Sequence, residues 1–80
     1  MKVDRPSPLR RIIADNVRRL RSERGLSQEE LADRANLHRT NISKLERKMH
    51  AISIDNLHWI AAALGVPTEE LIRDPGGPAR

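Results

Sequence analysis

From Leu9 onward the apolar positions Ile13, Val17 and Leu20 recur at helical spacing, and arginines fill much of the sequence between them. That period marks one face of a helix. Ser7 followed by Pro8 supplies a cap and a first helical residue with φ already fixed, and Gly25 supplies a left-handed stop, so a first helix is predicted between them. Ser27 and Glu30 make an S-x-x-E capping box ahead of Leu31, Ala32 and Ala35, which predicts a short second helix. Asn36 then falls where the chain must turn, and asparagine tolerates positive φ better than any residue but glycine. Leu37, Ile42 and Leu45 form the apolar face of a third helix, running from His38 or Arg39 to the neighbourhood of Arg47. Ser53 can cap a fourth helix whose Ile54, Leu57, Ile60, Ala61 and Leu64 are expected to face inward until Gly65 and Pro67 end it. Thr68, with Glu69 and Glu70 in the first turn, opens a brief fifth helix. No β alternation of useful length occurs, so the pattern predicts an all-α bundle of five helices.

The ends of the chain lack this periodicity. "MKVDRPSP" holds two prolines and "PGGPAR" is proline and glycine with one charge. Residues 1–7 are therefore expected to form a flexible arm, 8–74 the folded domain and 75–80 a flexible tail. Eighty residues suffice for one modest core, without a second, ligand-sensing domain. Lys and Arg number 15 against 11 Asp and Glu, and the pI is near 10.7. Such a surface favours polyanionic partners, either nucleic acid or an anionic membrane. No apolar run spans a bilayer, no signal-peptide core follows Met1, and there is no cysteine. Packing alone must then hold the fold, and the cytoplasm is the expected compartment. With Trp59 as the sole aromatic of the Phe, Trp and Tyr set, single-strand binding by base stacking is disfavoured.

The third helix is crowded with donors. Two helices joined by a tight turn can place one across a phosphate backbone and send the next into the major groove. Leu37, Ile42 and Leu45 would form its back, and Arg39, Thr40, Ser43 and Lys44 its front. Guanine edges suit Arg or Lys, adenine suits amides, and the thymine methyl suits the methyl of Thr.

The stretch "LRSERGLSQEELADRANLHRTNISKLER" resembles the helix-turn-helix of Cro/cI-type (XRE-like) regulators of bacteria and phage, and the resemblance runs from residue 9 to residue 73. "LHRTNISKLER" followed by "ISIDNLHWIAAALGVPTEELI" is most similar, within that family, to the small controller proteins of restriction-modification systems, which are dimeric autoregulators. The resemblance implies a lambda-repressor-like domain that binds double-stranded DNA at a pseudo-palindromic operator as a homodimer. It implies no cofactor, no membrane, a nucleoid-associated place in the cytoplasm, and RNA polymerase as a further partner. By position, Arg39, Thr40, Ser43 and Lys44 would contact bases, and Gln28, Asn41, Arg47 and His50 phosphates. Arg21 and Glu46 match a pair that ties the first helix to the third. Asn36 replaces the usual turn glycine, and Lys48 stands where an E-R-G pattern would place one.

Plainer readings apply elsewhere. Arg10, Arg11, Arg18 and Arg19 are expected to be a solvated helix face, and Lys2 and Arg5 part of a disordered terminus rather than a minor-groove arm. His38, His50 and His58 have neither cysteine nor a carboxylate cluster beside them, so surface histidines and no metal site are expected. No nucleophile with a partnered base, paired carboxylate or phosphate loop is present, and so small a bundle is expected to lack a pocket, which argues against an enzyme. The rival is a protein-interaction module such as an antitoxin or a transcriptional bridging factor, but those usually carry longer extra segments. For a dimer seam the fourth and fifth helices offer Trp59, Ala62, Val66, Leu71 and Ile72. Trp59 either lies over the bundle's flank or enters that seam. Leu71 and Ile72 are adjacent, so both cannot face one core.

Overall fold

The computed structural model describes residues 5–48 and 51–76. Among them five helices follow in order: α1 (Leu9–Glu23), α2 (Gln28–Ala35), α3 (Arg39–Glu46), α4 (Ile54–Leu64) and α5 (Glu69–Ile72), with no strand. The all-α, five-helix expectation holds.

Local chemistry sets most of the boundaries. Pro8 already has helical dihedrals, and Ser7 Oγ accepts from the Leu9 N–H at 3.1 Å, so Ser7 acts as the cap. The capping box of α2 is complete: Glu30 N–H donates to Ser27 Oγ at 2.9 Å, and Ser27 N–H to Glu30 Oε1 at 2.8 Å. Each satisfies a backbone donor that a helix start leaves orphaned. At the other end of α2, Asn36 is left-handed (φ 58°). There Asn36 N–H reaches the Asp33 carbonyl at 3.1 Å and Leu37 N–H the Ala32 carbonyl at 2.8 Å. Those two bonds are the Schellman closure. Asparagine thus serves in place of the turn glycine. Lys48, at φ 62°, adopts the same region at the exit from α3 without a side chain suited to it.

Thr68 opens α5 with Glu69 and Glu70 in the first turn, as expected, although it makes no side-chain cap and Glu70 N–H bonds the Pro67 carbonyl at 3.0 Å instead. One expectation about the start of α4 is corrected. Ile54 does not face inward, being 83% exposed. It has the correct rotation relative to Leu57, but it lies on the first turn of α4, beyond the reach of the helices that cover the rest of that face.

Val17, Leu31, Ile42, Ile60, Leu64 and Leu71 are the fully buried apolar centre. α2 packs on α3 and α4, while α1 packs on α3 and α5. Asn16, buried inside the α1 stripe, donates from Nδ2 to the carbonyls of Leu71 and Arg73, both at 2.8 Å. Arg24 Nε donates to the Leu64 carbonyl at 2.6 Å and closes the end of α4. Leu71 is wholly buried and Ile72 exposed, so Leu71 belongs to the core and is withdrawn from the seam. A cleft of about 350 Å³ opens between the start of α1, residues 51–57 and Ile72, contrary to the expectation of none.

Candidate DNA interface

Residues 36–38 alone separate α2 from α3. With eight residues, α3 is roughly 12 Å long at ~1.5 Å per residue, and the major groove of B-DNA is about 12 Å wide. Positions 39, 40, 43, 44 and 47 share one side of this helix. Arg39, Thr40, Lys44 and Arg47 are exposed there, and Ser43 is half-buried between them. Asn41 is half-buried on the flank, and Ile42 and Leu45 form the buried back. Of the expected back, Ile42 and Leu45 are buried, whereas Leu37 lies in the turn before α3 and is half-buried. His38 caps α3, its Nδ1 accepting from Thr40 N–H at 3.4 Å and lying 3.2 Å from Thr40 Oγ1. Lys2 and His50 lie outside the described residues.

The roll of α3 is fixed from behind by Glu46, which is 3% exposed. Arg21 grips its carboxylate with two bonds, Nε to Oε2 at 2.7 Å and Nη2 to Oε1 at 3.0 Å. A fork on a carboxylate fixes geometry as well as charge. Arg21 Nη1 also donates to the Leu26 carbonyl at 2.9 Å, and Gln28 Nε2 donates to Glu46 Oε1 at 3.0 Å. Arg18 adds a bond from Nη2 to the Glu46 backbone carbonyl. The hydrogen bond to Glu46 raises the Arg21 pKa further above its already high ordinary value, against the opposing effect of burial. One buried carboxylate thus joins α1, the α1–α2 turn, α2 and α3. The Arg21–Glu46 pair meets as the resemblance implied; the parts played by Gln28 and Arg18 were not foreseen.

Charge is distributed unevenly. On α1, Arg11 and Arg18 lie 3.6 and 3.8 Å from Asp15, and Arg19 and Arg24 lie 3.5 and 3.8 Å from Glu23. Those pairs are exposed and partly neutralise one another. On and just after α3, Arg39, Lys44, Arg47 and Lys48 have no ion-pair partner among the described residues. Positive potential therefore concentrates on the donor-bearing side of α3. The described residues contain no His, Cys, Asp and Glu group able to hold a metal, and no helix long and apolar enough to cross a membrane.

A short helix, a tight turn and a second helix that presents cations and hydroxyls outward while a buried carboxylate holds its back define a helix-turn-helix DNA-binding domain. The chain belongs to the helix-turn-helix family, whose profile matches residues 17–71 and whose members bind double-stranded DNA. It is 45% identical over 67 residues to a hypothetical transcription factor of Neisseria meningitidis, a match covering 84% of this chain and 63% of that protein. It thus spans less than two thirds of that relative. To the control protein C.BamHI of Bacillus amyloliquefaciens it is 42% identical, over 80% of each. Among solved structures, the hypothetical transcription factor NHTF from Neisseria superposes with a TM-score of 0.84 at 39% identity, covering 95% of this chain and 87% of that one. The restriction-modification controller protein C.Esp1396I gives 0.78 at 32% identity, covering 91% and 99%.

Proposed function

We propose that this chain is a homodimeric transcription regulator of the controller type that places α3 of each copy in the major groove of a pseudo-palindromic operator beside its own gene. The observation that carries this reading is the unpaired cationic face of α3, held in one orientation by the Glu46 network. The similarity to C.BamHI and C.Esp1396I, a control protein and a restriction-modification controller, supports the regulatory class.

Arg39, Thr40 and Lys44 meet base edges, with Ser43 at the centre of the contact. Asn41 and Arg47 meet phosphates on either side, and His50 is assigned to the same backbone. Gln28 holds a phosphate with the second N–H of its amide while the first stays on Glu46. Trp59, Ala62, Val66 and Ile72 are the proposed seam between copies. One domain makes few base contacts, and a two-fold dimer doubles them. Such a complex belongs on the bacterial nucleoid, where RNA polymerase is the partner that its position beside a promoter would bring near.

Footprinting of the duplex that flanks the gene tests this. Two protected half-sites centred about 34–36 Å apart, one turn of duplex, are expected. Absence of protection at micromolar protein would count against the reading. Arg47→Ala should lower the salt slope of binding by about one unit per phosphate contact, and Gln28→Ala should leave it nearly unchanged, because only a charged side chain releases counterions.

A further inference from the structure

The cleft at the start of α1 is lined mainly by apolar side chains, among them Leu9, Ile13, Leu45, Leu57 and Ile72. Ile54 stands at its edge and is the most exposed large apolar side chain of the described residues at 83%. Leu9 and Ile72, also on the cleft, are exposed as well. A volume of about 350 Å³ is too small for a helix and suits one or two side chains. Both the cleft and the isoleucine beside it call for cover, and a two-fold contact can cover both at once, since each copy supplies the knob and the hole.

Charge points the same way. Asp55 is exposed next to Ile54, and Arg10 lines the cleft; neither has an ion-pair partner among the described residues. One isoleucine cannot supply the ~800 Å² per partner that a stable interface buries. The rest is available on α4, where Asp55, His58, Trp59 and Ala62 form one continuous exposed side, with the Trp59 ring meeting His58 edge-on at 4.7 Å.

We propose that two copies of this chain join along the outer side of α4, with Ile54 of each seated in the apolar cleft of the other and Asp55 paired with the partner's Arg10. The proposal rests on the homodimeric reading above and moves the centre of the seam from the α4–α5 end to the first turn of α4. It leaves the outward side of α3 free, because only the buried back of that helix, at Leu45, borders the cleft.

Equilibrium sedimentation of the full chain and a charge-swap set tests it. Ile54→Lys, Arg10→Asp and Asp55→Arg should each weaken dimerisation by roughly tenfold or more, and Arg10→Asp with Asp55→Arg together should recover most of that loss. All three positions lie on the surface or at the cleft rim, and thermal melts close to wild type will show that the fold is kept. A wild-type dimer whose association is indifferent to all three substitutions would place the seam elsewhere and overturn the proposal. A wild type that stays monomeric at tens of micromolar would do the same, as would native mass spectrometry showing a small apolar molecule retained in the cleft. Binding to a duplex with a single half-site separates this from the DNA reading. Ile54→Lys should keep half-site affinity while losing the dimer. A wild type that dimerises with the full charge-swap pattern yet binds no duplex would support the seam and sink the DNA reading.

Discussion

Glu46 shows how much one buried charge can decide. Arg21→Ala would leave the carboxylate buried with Gln28 and the more distant Arg18, and should cost about 3 kcal/mol or more, whereas an exposed pair is worth under about 1. Glu46→Ala should also destabilise, and the double variant should lose less than the sum, as urea melts would show. Additive losses would mean that the two side chains do not act together. Lys48 is the reverse case, a residue whose backbone works against it. Lys48→Gly should raise stability by up to ~1 kcal/mol, since glycine enters the left-handed region freely, while Asn36→Gly should gain less because asparagine tolerates it. Urea midpoints check both. The Arg21–Glu46 pair was legible only through family resemblance, because its partners are 25 residues apart and no local period connects them. Arg18 reads as a solvated cation from the sequence, yet it donates to the Glu46 backbone carbonyl. Whether an arginine finds a carbonyl depends on which helix end comes to rest beside it, and that is a tertiary fact.

At the scale of elements, α5 has only four residues and cannot be stable alone. Leu71 and the two bonds from Asn16 hold it to α1. Asn16→Ala should cost about 1–3 kcal/mol, because buried carbonyls lose their donor, and should raise amide exchange in α5 before the rest of the domain. Unchanged protection there would show that Leu71 suffices. At the start of α2, the Ser27 backbone N–H lowers the Glu30 pKa from its usual 4.5, with the Ser27 hydroxyl and Arg34 adding to the effect. A depressed carboxylate stabilises above its unfolded value and loses that contribution as pH falls through the folded one. Protection of the α2 amides, corrected for the intrinsic pH dependence of exchange, should therefore fall on acidification below pH ~4.5, and Glu30→Gln should flatten that dependence. Helix starts and stops were largely readable because caps and left-handed stops are local chemistry. Ile54 was misread because periodicity gives the rotation of a residue about its helix, and says nothing of whether another helix covers it. Thr68 opens α5 without a side-chain cap because the Pro67 carbonyl already takes the Glu70 N–H.

For the whole molecule, composition gave the sign of the charge but not its place. Among the described residues, exposed ion pairs gather Arg11 and Arg18 about Asp15 and Arg19 and Arg24 about Glu23, so the cations of α1 are partly compensated while the outward side of α3 is bare, and that contrast emerges only once the helices are assembled. The all-α class and the front and back of α3 were legible from period and resemblance together. The cleft was not, since its walls come from α1, α3, α4 and the segment at Ile72, which no single window of sequence joins. The direct test of the claim that α3 reads base edges is the affinity of Arg39→Ala for operator and for scrambled duplex at matched salt. Loss of roughly 1–3 kcal/mol on the operator, with relaxed preference at one base pair per half-site and little change on scrambled DNA beyond one lost charge, is expected. An equal loss on both would show that Arg39 grips the backbone and that α3 lies in the groove differently from the orientation argued for it.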